Sequence, residues 1–172
     1  MVYLTRRYRF CASHRLHNQA LSDDENLRIY GKCDSPFGHG HNYALEVTVA
    51  GPIDEETGMV FDLVALDGVV EKEVLDRFDH TNLNLDVVNF RAQVPTTENV
   101  CTEIFHLLEE QLGRGGSPHA ARLARVRLEE TNWNFFEYEG EFPSTAEGPP
   151  LSLSYSGRQR SAGTWQAERT RK

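Results

Sequence analysis

His39 and His41 stand two residues apart in the run Gly31-Lys-Cys-Asp-Ser-Pro-Phe-Gly-His-Gly-His-Asn-Tyr43. In extended backbone, side chains at i and i+2 point to the same face, so both imidazoles can meet one metal ion. Gly40 between them leaves the other face bare and permits close backbone packing. A third imidazole, His14, ends the first candidate strand. If that strand pairs with the one carrying His39 and His41, three neutral histidines come together. Three histidines give a tetrahedral zinc site with one position open, the arrangement of catalytic zinc. Zn2+ is therefore the expected cofactor, on His14, His39 and His41.

Other residues could do acid–base chemistry near such a metal. Cys33 precedes His39 by six positions, in a loop rich in turn formers. Three readings are open for it: a fourth ligand that closes the zinc site, an ordinary buried thiol, or a base or nucleophile that ionises beside a metal or histidine. Asp79-His80 follows a helical pattern and suits a relay, in which a carboxylate orients an imidazole that exchanges protons; helix ends also carry such residues for purely structural reasons. In the run Arg122–Thr131, alternation puts Val126, Leu128 and Glu130 on the apolar side and Arg127 and Glu129 on the other. Glu130 thus points inward. A buried carboxylate needs a partner, either a salt bridge or a ligand with adjacent N–H donors.

Strands must position these groups. Tyr3–Ser13 alternates, with Tyr8 and Phe10 on one parity and Arg7 and Arg9 on the other. Ser22 followed by Glu25 is a capping-box pattern and predicts a short helix over 23–30. Tyr43, Leu45, Val47 and Val49 share one face of a second strand that Gly51-Pro52 ends, and Gly58–Leu63 reads as its continuation after a turn. Leu66, Val69, Val70, Val74 and Phe78 recur at helical spacing. A second helix begins at Thr97 as cap, carries Val100, Ile104, Leu107, Leu108 and Leu112, and stops at Gly113. Residues 122–131 and 134–138 are two further strands. The order β-β-α-α-β-β is an α+β fold, an antiparallel sheet with two helices on one face.

Length and charge set the outer limits. A chain of 172 residues fits one domain, or one domain and a tail, and can bury a core without disulfides. The mean hydropathy of -0.53 and the lack of a long apolar run exclude a transmembrane helix, and the alternating start MVYLTRRYRF leads us to expect no signal peptide. Three cysteines form no disulfide framework and point to a reducing, cytoplasmic setting. A net charge of -8 argues against nucleic-acid partners. Composition shifts near residue 141. Residues 142–172 hold five basic and two acidic side chains, a net +3, which leaves -11 on residues 1–141. The expected organisation is a domain over 1–141 and a flexible tail over 142–172.

Six segments, in this order, resemble the 6-pyruvoyl-tetrahydropterin synthase family, which includes the 6-carboxy-tetrahydropterin synthases of the queuosine pathway. They are Phe10-Cys-Ala-Ser-His-Arg-Leu16, the run Gly31 to Tyr43, Gly58-Met-Val-Phe-Asp62, Asp79-His-Thr-Asn-Leu-Asn84, Pro95-Thr-Thr-Glu-Asn-Val100 and Glu130-Thr-Asn132. The resemblance implies the tunnelling fold (T-fold) and a homo-oligomer, a hexamer of two stacked trimers with sites at subunit interfaces. It makes His14, His39 and His41 the zinc ligands, Cys33 the proton-abstracting residue, and Asp79 with His80 the second acid–base pair. Glu130 would anchor a pterin ring through its amino and ring N–H groups, with Thr96, Thr97 and Glu98 lining the pocket.

The implied reaction is a carbon–oxygen lyase step on a small molecule. It converts 7,8-dihydroneopterin triphosphate to 6-pyruvoyl-tetrahydropterin and releases triphosphate. Five residues separate Cys33 from His39, and with the Thr-Thr-Glu-Asn stretch this resembles the pyruvoyl-forming enzymes. Asn132-Trp133-Asn134 departs from the family's Asp-Asn-Asn and puts an indole beside the pterin-anchoring strand. Two alternatives stand beside this reading. One is the carboxy-forming branch, which releases acetaldehyde and triphosphate; the other is a non-catalytic zinc- or pterin-binding module. Arg15, Arg28 and Lys32 flank the metal and cysteine segments and are candidates for the triphosphate.

Overall fold

The strand that must be apolar on one face organises the molecule. The computed structural model describes residues 1–114 and 121–140. Strand β2 (His39–Gly51) pairs antiparallel with β1 (Val2–His14) on one side and β4 (Arg122–Thr131) on the other. Its residues Tyr43, Leu45, Val47 and Val49 are all but fully buried, on the parity expected from alternation. Strand β5 (Asn134–Tyr138) adds antiparallel to β4 through a tight turn. The architecture is α+β, as the element order implies. One addition escapes the sequence pattern: β3 (Thr81–Asn82) lies parallel to β1 along its other edge, giving the order β3-β1-β2-β4-β5.

The two helical stretches cover the apolar face. Helix α5 (Thr97–Arg114) inserts Val100, Ile104 and Leu108, each fully buried, over Val126 and Leu128 of β4. Helix α2 (Leu63–Val70) runs through a π-turn at Glu71–Leu75 into α3 (Asp76–Phe78). The π-turn has a reason in the sequence. Leu66, Val70, Val74 and Phe78 are four residues apart and all fully buried. Four residues advance an α-helix by 400°, a drift of about 40° per step. A widened turn in mid-series absorbs that drift and keeps the later residues on the core side. Arg6 and Tyr8 of β1 fasten α2 to the sheet, both donating to the Asp67 carboxylate at 2.8–3.0 Å. No helix among the described residues is long and apolar enough to cross a membrane.

The opposite face of the sheet carries a charge row. Arg7, Glu46 and Arg127 are cross-strand neighbours on β1, β2 and β4, with Arg127 3.2 Å from Glu46 and Arg7 3.8 Å from it. Alternating signs directly across a sheet are favourable.

Two local expectations are corrected. Gly58–Leu63 is not a strand continuation. Asp62 caps α2, its side chain accepting from Val64 N–H at 2.8 Å, and Leu63 is the first helical residue. Thr97 is not the cap of α5 but its first residue; the Thr96 hydroxyl accepts from Asn99 N–H at 3.4 Å. The capping box at Ser22 stands as predicted, with helix α1 at Asp23–Tyr30. The proposed tail, residues 142–172, lies outside the described residues.

Phe78 packs between Phe10 of β1 and Phe90, with ring centroids 6.1 and 6.4 Å away, and has no exposed surface. Phe78→Ala is expected to lower stability by about 3–5 kcal/mol through lost burial and the cavity left behind, read as a reduced urea midpoint.

Candidate metal centre and active site

The β1–β2 register builds the centre. His14 lies directly opposite His39, and Ala12 opposite His41. Residues paired across strands share a face, and so do residues two apart, so all three rings project from one patch. Their centroids are 4.6, 4.8 and 5.1 Å apart, each pair edge to face. One ring nitrogen from each lies within 4.8 Å of the others. Gly38 makes the approach possible. Its φ is +67°, and a Cβ there would sit 2.7 Å from the His14 carbonyl oxygen.

The donor set fits a zinc ion. His14 is buried, and its Nδ1 lies 2.8 Å from the Pro95 carbonyl oxygen. A carbonyl only accepts, so Nδ1 carries the proton and Nε2 keeps a free lone pair, as metal-bound histidines require. Two nitrogens at about 2.05 Å from a tetrahedral zinc are about 3.3 Å apart. His14 Nε2 and His39 Nε2 are 3.2 Å apart. His41 Nε2 and His39 Nδ1 are buried with no hydrogen-bond partner, which is costly for a polar nitrogen. Burial also holds His14 and His41 below the usual imidazole pKa, which favours the neutral, ligating form.

Glu130 stands at the edge of this centre. The β4–β5 pairing shifts register between Glu129 and Thr131. Glu130 Oε1 lies 3.6 Å from His41 Nε2 and 3.8 Å from His14 Nε2. Thr97, on the first turn of α5, donates its hydroxyl to Oε1 at 2.6 Å, and Asn134 donates its amide to Oε2 at 2.7 Å. Burial pushes the carboxyl pKa up. The two donors and the facing histidines outweigh it and hold the group below the ordinary carboxyl value. Glu130 is therefore an ionised acceptor in a half-buried pocket. The cleft beside it has a volume of about 390 Å³ and includes His41, Asn132 and Trp133 among its walls. Trp133 is 94% exposed.

The remaining predicted residues divide into two places. Cys33 sits in a 3-10 turn (Gly31–Asp34) after α1, where its carbonyl accepts from Leu16 N–H at 2.9 Å. Its sulfur is not among the converging metal-ligating atoms. Burial, and then the Glu130 charge, push its thiol pKa up. Thr96 caps α5 and Glu98 is exposed on its first turn. Asp79 and His80 lie elsewhere, on the outer edge of β1. Asp79 Oδ1 accepts from Cys11 N–H at 2.7 Å, and His80 N–H donates to the Cys11 carbonyl at 2.6 Å. Asp79 Oδ2 and His80 Nδ1 are 2.9 Å apart. The Cys11 bond, ahead of that to His80, lowers the Asp79 pKa. His80 holds φ at +58°, a conformation that costs a non-glycine residue about 1–3 kcal/mol. Its side chain is 83% exposed. The hydrogen bonds given by and to this pair run to each other, to Cys11 and, from Asp79 N–H, to the Leu75 carbonyl, not to the triad or Cys33.

Sequence reasoning missed the supporting groups. The Pro95 carbonyl is a backbone group with no side-chain signature. Asn134 opens β5 as its strand pattern predicts, but the pattern does not announce that the turn at 132–133 brings its amide back to Glu130.

Comparison with known proteins places the arrangement. The 6-pyruvoyl tetrahydropterin synthase family matches residues 3–141. The chain belongs to this family. A 6-pyruvoyl tetrahydrobiopterin synthase of Drosophila melanogaster is 43% identical over 152 residues, covering 88% of this chain and 88% of that protein. The Homo sapiens protein of the same name is 45% identical over 138 residues, covering 80% of this chain and 91% of that one. The solved 6-pyruvoyl tetrahydropterin synthase of Caenorhabditis elegans superposes with a TM-score of 0.75 at 41% identity, covering 81% of this chain and 96% of that structure. The fold is thus that of the family's T-fold members.

The triad gives the metal-free protein an acid-sensitive core. His14 titrates below 6.5 in the folded chain and near that value when unfolded. Between the two, the unfolded chain binds more protons, so stability falls as pH drops from about 6.5. Glu130 adds a second loss as pH falls from its unfolded value of about 4.5 through its lower folded one. Urea midpoints of metal-stripped protein should decline steadily from about pH 7 to 5. A flat profile there would contradict this account of the triad.

Proposed function

We propose that the protein is a zinc-dependent carbon–oxygen lyase, acting on 7,8-dihydroneopterin triphosphate to form 6-pyruvoyl-tetrahydropterin and triphosphate. The observation that carries this is the juxtaposition of three converging imidazoles with an ionised Glu130 held by Thr97 and Asn134. A structural zinc site needs no such carboxylate, and the names of the similar proteins favour the pyruvoyl branch over the carboxy-forming one.

The roles follow from what each group can do. His14, His39 and His41 would hold the zinc, which would supply Lewis-acid polarisation of the substrate's side-chain hydroxyls and so acidify the adjoining C–H. Glu130 accepts hydrogen bonds from the amino and ring N–H groups of the pterin, with Thr96, Thr97 and Glu98 lining that pocket. Cys33 removes a carbon-bound proton. Its thiol is raised by burial in the metal-free chain, so its ionisation calls for positive charge close by. Asp79 holds the His80 imidazole, which moves the proton on the other face.

The exposure of His80 and the lack of any hydrogen bond from it to the triad support a site completed by another copy of the chain, in a hexamer of two trimers. Nothing in the proposal requires nucleic acid or membrane, and the free cysteines suit the cytoplasm.

Three measurements test the reading. Mass analysis of products from dihydroneopterin triphosphate should show the pyruvoyl compound; acetaldehyde release would instead assign the carboxy-forming branch. Cys33→Ala should lose at least about a hundredfold in turnover while retaining one zinc per chain, since general-base catalysis contributes on that order. Loss of zinc in that variant would make Cys33 a ligand and overturn its assigned role. Mixed assemblies of Cys33→Ala and His80→Ala chains should regain activity that neither has alone, if the pair and the thiol come from different copies.

A further inference from the structure

The lyase reading leaves unexplained a cavity of about 610 Å³ lined by chain neighbours of the triad. It adjoins the metal centre by chain continuity at three points. Arg15 follows His14, Gly38 precedes His39, and Val94 precedes Pro95, whose carbonyl takes the His14 proton. Apolar side chains such as Phe37, Leu85 and Phe90 line part of the wall, and its polar part has one chemical character. Arg15, His17 and Arg91 line it together with the amides of Asn18, Asn82 and Gln93, and none of its lining residues is acidic. In a chain with 26 acidic side chains against 18 basic ones, such a wall departs from the rest of the surface.

Arg15 is aimed rather than loose. Asp34, itself buried, takes Arg15 Nε at 3.1 Å, Arg15 Nη2 at 2.8 Å and His17 Nδ1 at 2.7 Å on the same oxygen. The Asn84 side chain grips the Arg15 backbone from both sides, accepting from its N–H at 2.8 Å and donating to its carbonyl at 3.0 Å. A guanidinium has five N–H donors in a fixed fork, so the edge turned away from Asp34 remains available. Arg91, on the 3-10 turn Val88–Arg91, is exposed. Guanidinium forks and amide donors together suit the oxygens of a polyphosphate. The other candidates fare differently. Lys32 borders a second depression on the other side of Arg15, where Asp23, Asp24 and Asp34 make a poor place for an anion, and Arg28 lines neither.

We propose that this cavity is the subsite for the substrate's triphosphate, with Arg15 and Arg91 as its cationic contacts and Asp34 as the residue that positions Arg15. The identity of the ligand rests on the function proposed above; the cavity's own chemistry asks for a polyphosphate anion. A protein of net charge -8 repels such a substrate at long range, so the attraction must be local.

The test is calorimetric binding of inorganic triphosphate to the zinc-loaded full chain, with phosphate-free dihydroneopterin as the parallel ligand. Every variant keeps the triad, so direct contact of the anion with metal is common to all. Arg91→Ala should weaken triphosphate binding about tenfold and Arg91→Glu further, as loss of one charge-assisted contact implies. Arg15→Lys, which keeps charge but loses the fork, should also weaken it. Arg28→Ala should not, and dihydroneopterin affinity should stay constant throughout. No measurable triphosphate binding to the parent chain, or parent-like affinity in Arg91→Glu, overturns the subsite. If triphosphate behaves as expected but dihydroneopterin fails to bind, the subsite stands and the pterin reading falls. If dihydroneopterin binds and triphosphate ignores Arg91 and Arg15, the pterin reading stands and the subsite falls.

Discussion

The pairing of His14 with His39 across β1 and β2 is the constraint on which the rest depends. Side chains alternate faces along a strand, so a slip of one residue would send one imidazole to the charged face and leave the others on the apolar one. Register is fixed here from both ends. The buried series Tyr43, Leu45, Val47 and Val49 specifies which face β2 turns to the helices, and the Arg7–Glu46–Arg127 row specifies the other. The core therefore sets the metal geometry, and the same burial that stabilises the fold keeps His14 neutral.

Helix α5 closes the arrangement from a second direction. The segment leading into it presents the Pro95 carbonyl to His14, and its first turn presents the Thr97 hydroxyl to Glu130. One helix end thus orients a ligand of the metal and the carboxylate beside it. The attachment is short and polar at the site, and apolar along Val100, Ile104 and Leu108. Packing supplies the energy; the hydrogen bonds supply direction.

How far the sequence foretold this depends on whether a feature has a side-chain signature. The His-Gly-His spacing, the alternation of β2 and the Ser22–Glu25 capping box are periodic or local, and each was readable. The inward turn of Glu130 followed from parity alone. Gly58–Leu63 misled because a short apolar run reads alike as strand or helix start, and the deciding contact is the Asp62 carboxylate on Val64 N–H. The π-turn, the left-handed His80 and the Pro95 carbonyl are backbone events, set by tertiary contacts no residue type announces. Arg15 could be suspected from its place next to His14, but the Asp34 carboxylate that orients it became visible only in three dimensions.

The clamp of Asp79 and His80 on Cys11 has a metric consequence. Cys11 and His14 belong to the same unbroken strand, three residues apart. At about 3.3 Å per residue, β1 acts as a ruler of about 10 Å between the acid–base pair on its edge and the first imidazole of the triad. Strands neither stretch nor compress without losing their ladder. Insertion or deletion of a single residue between those two marks would alter this length standard, and no compensating change in side chains could restore it.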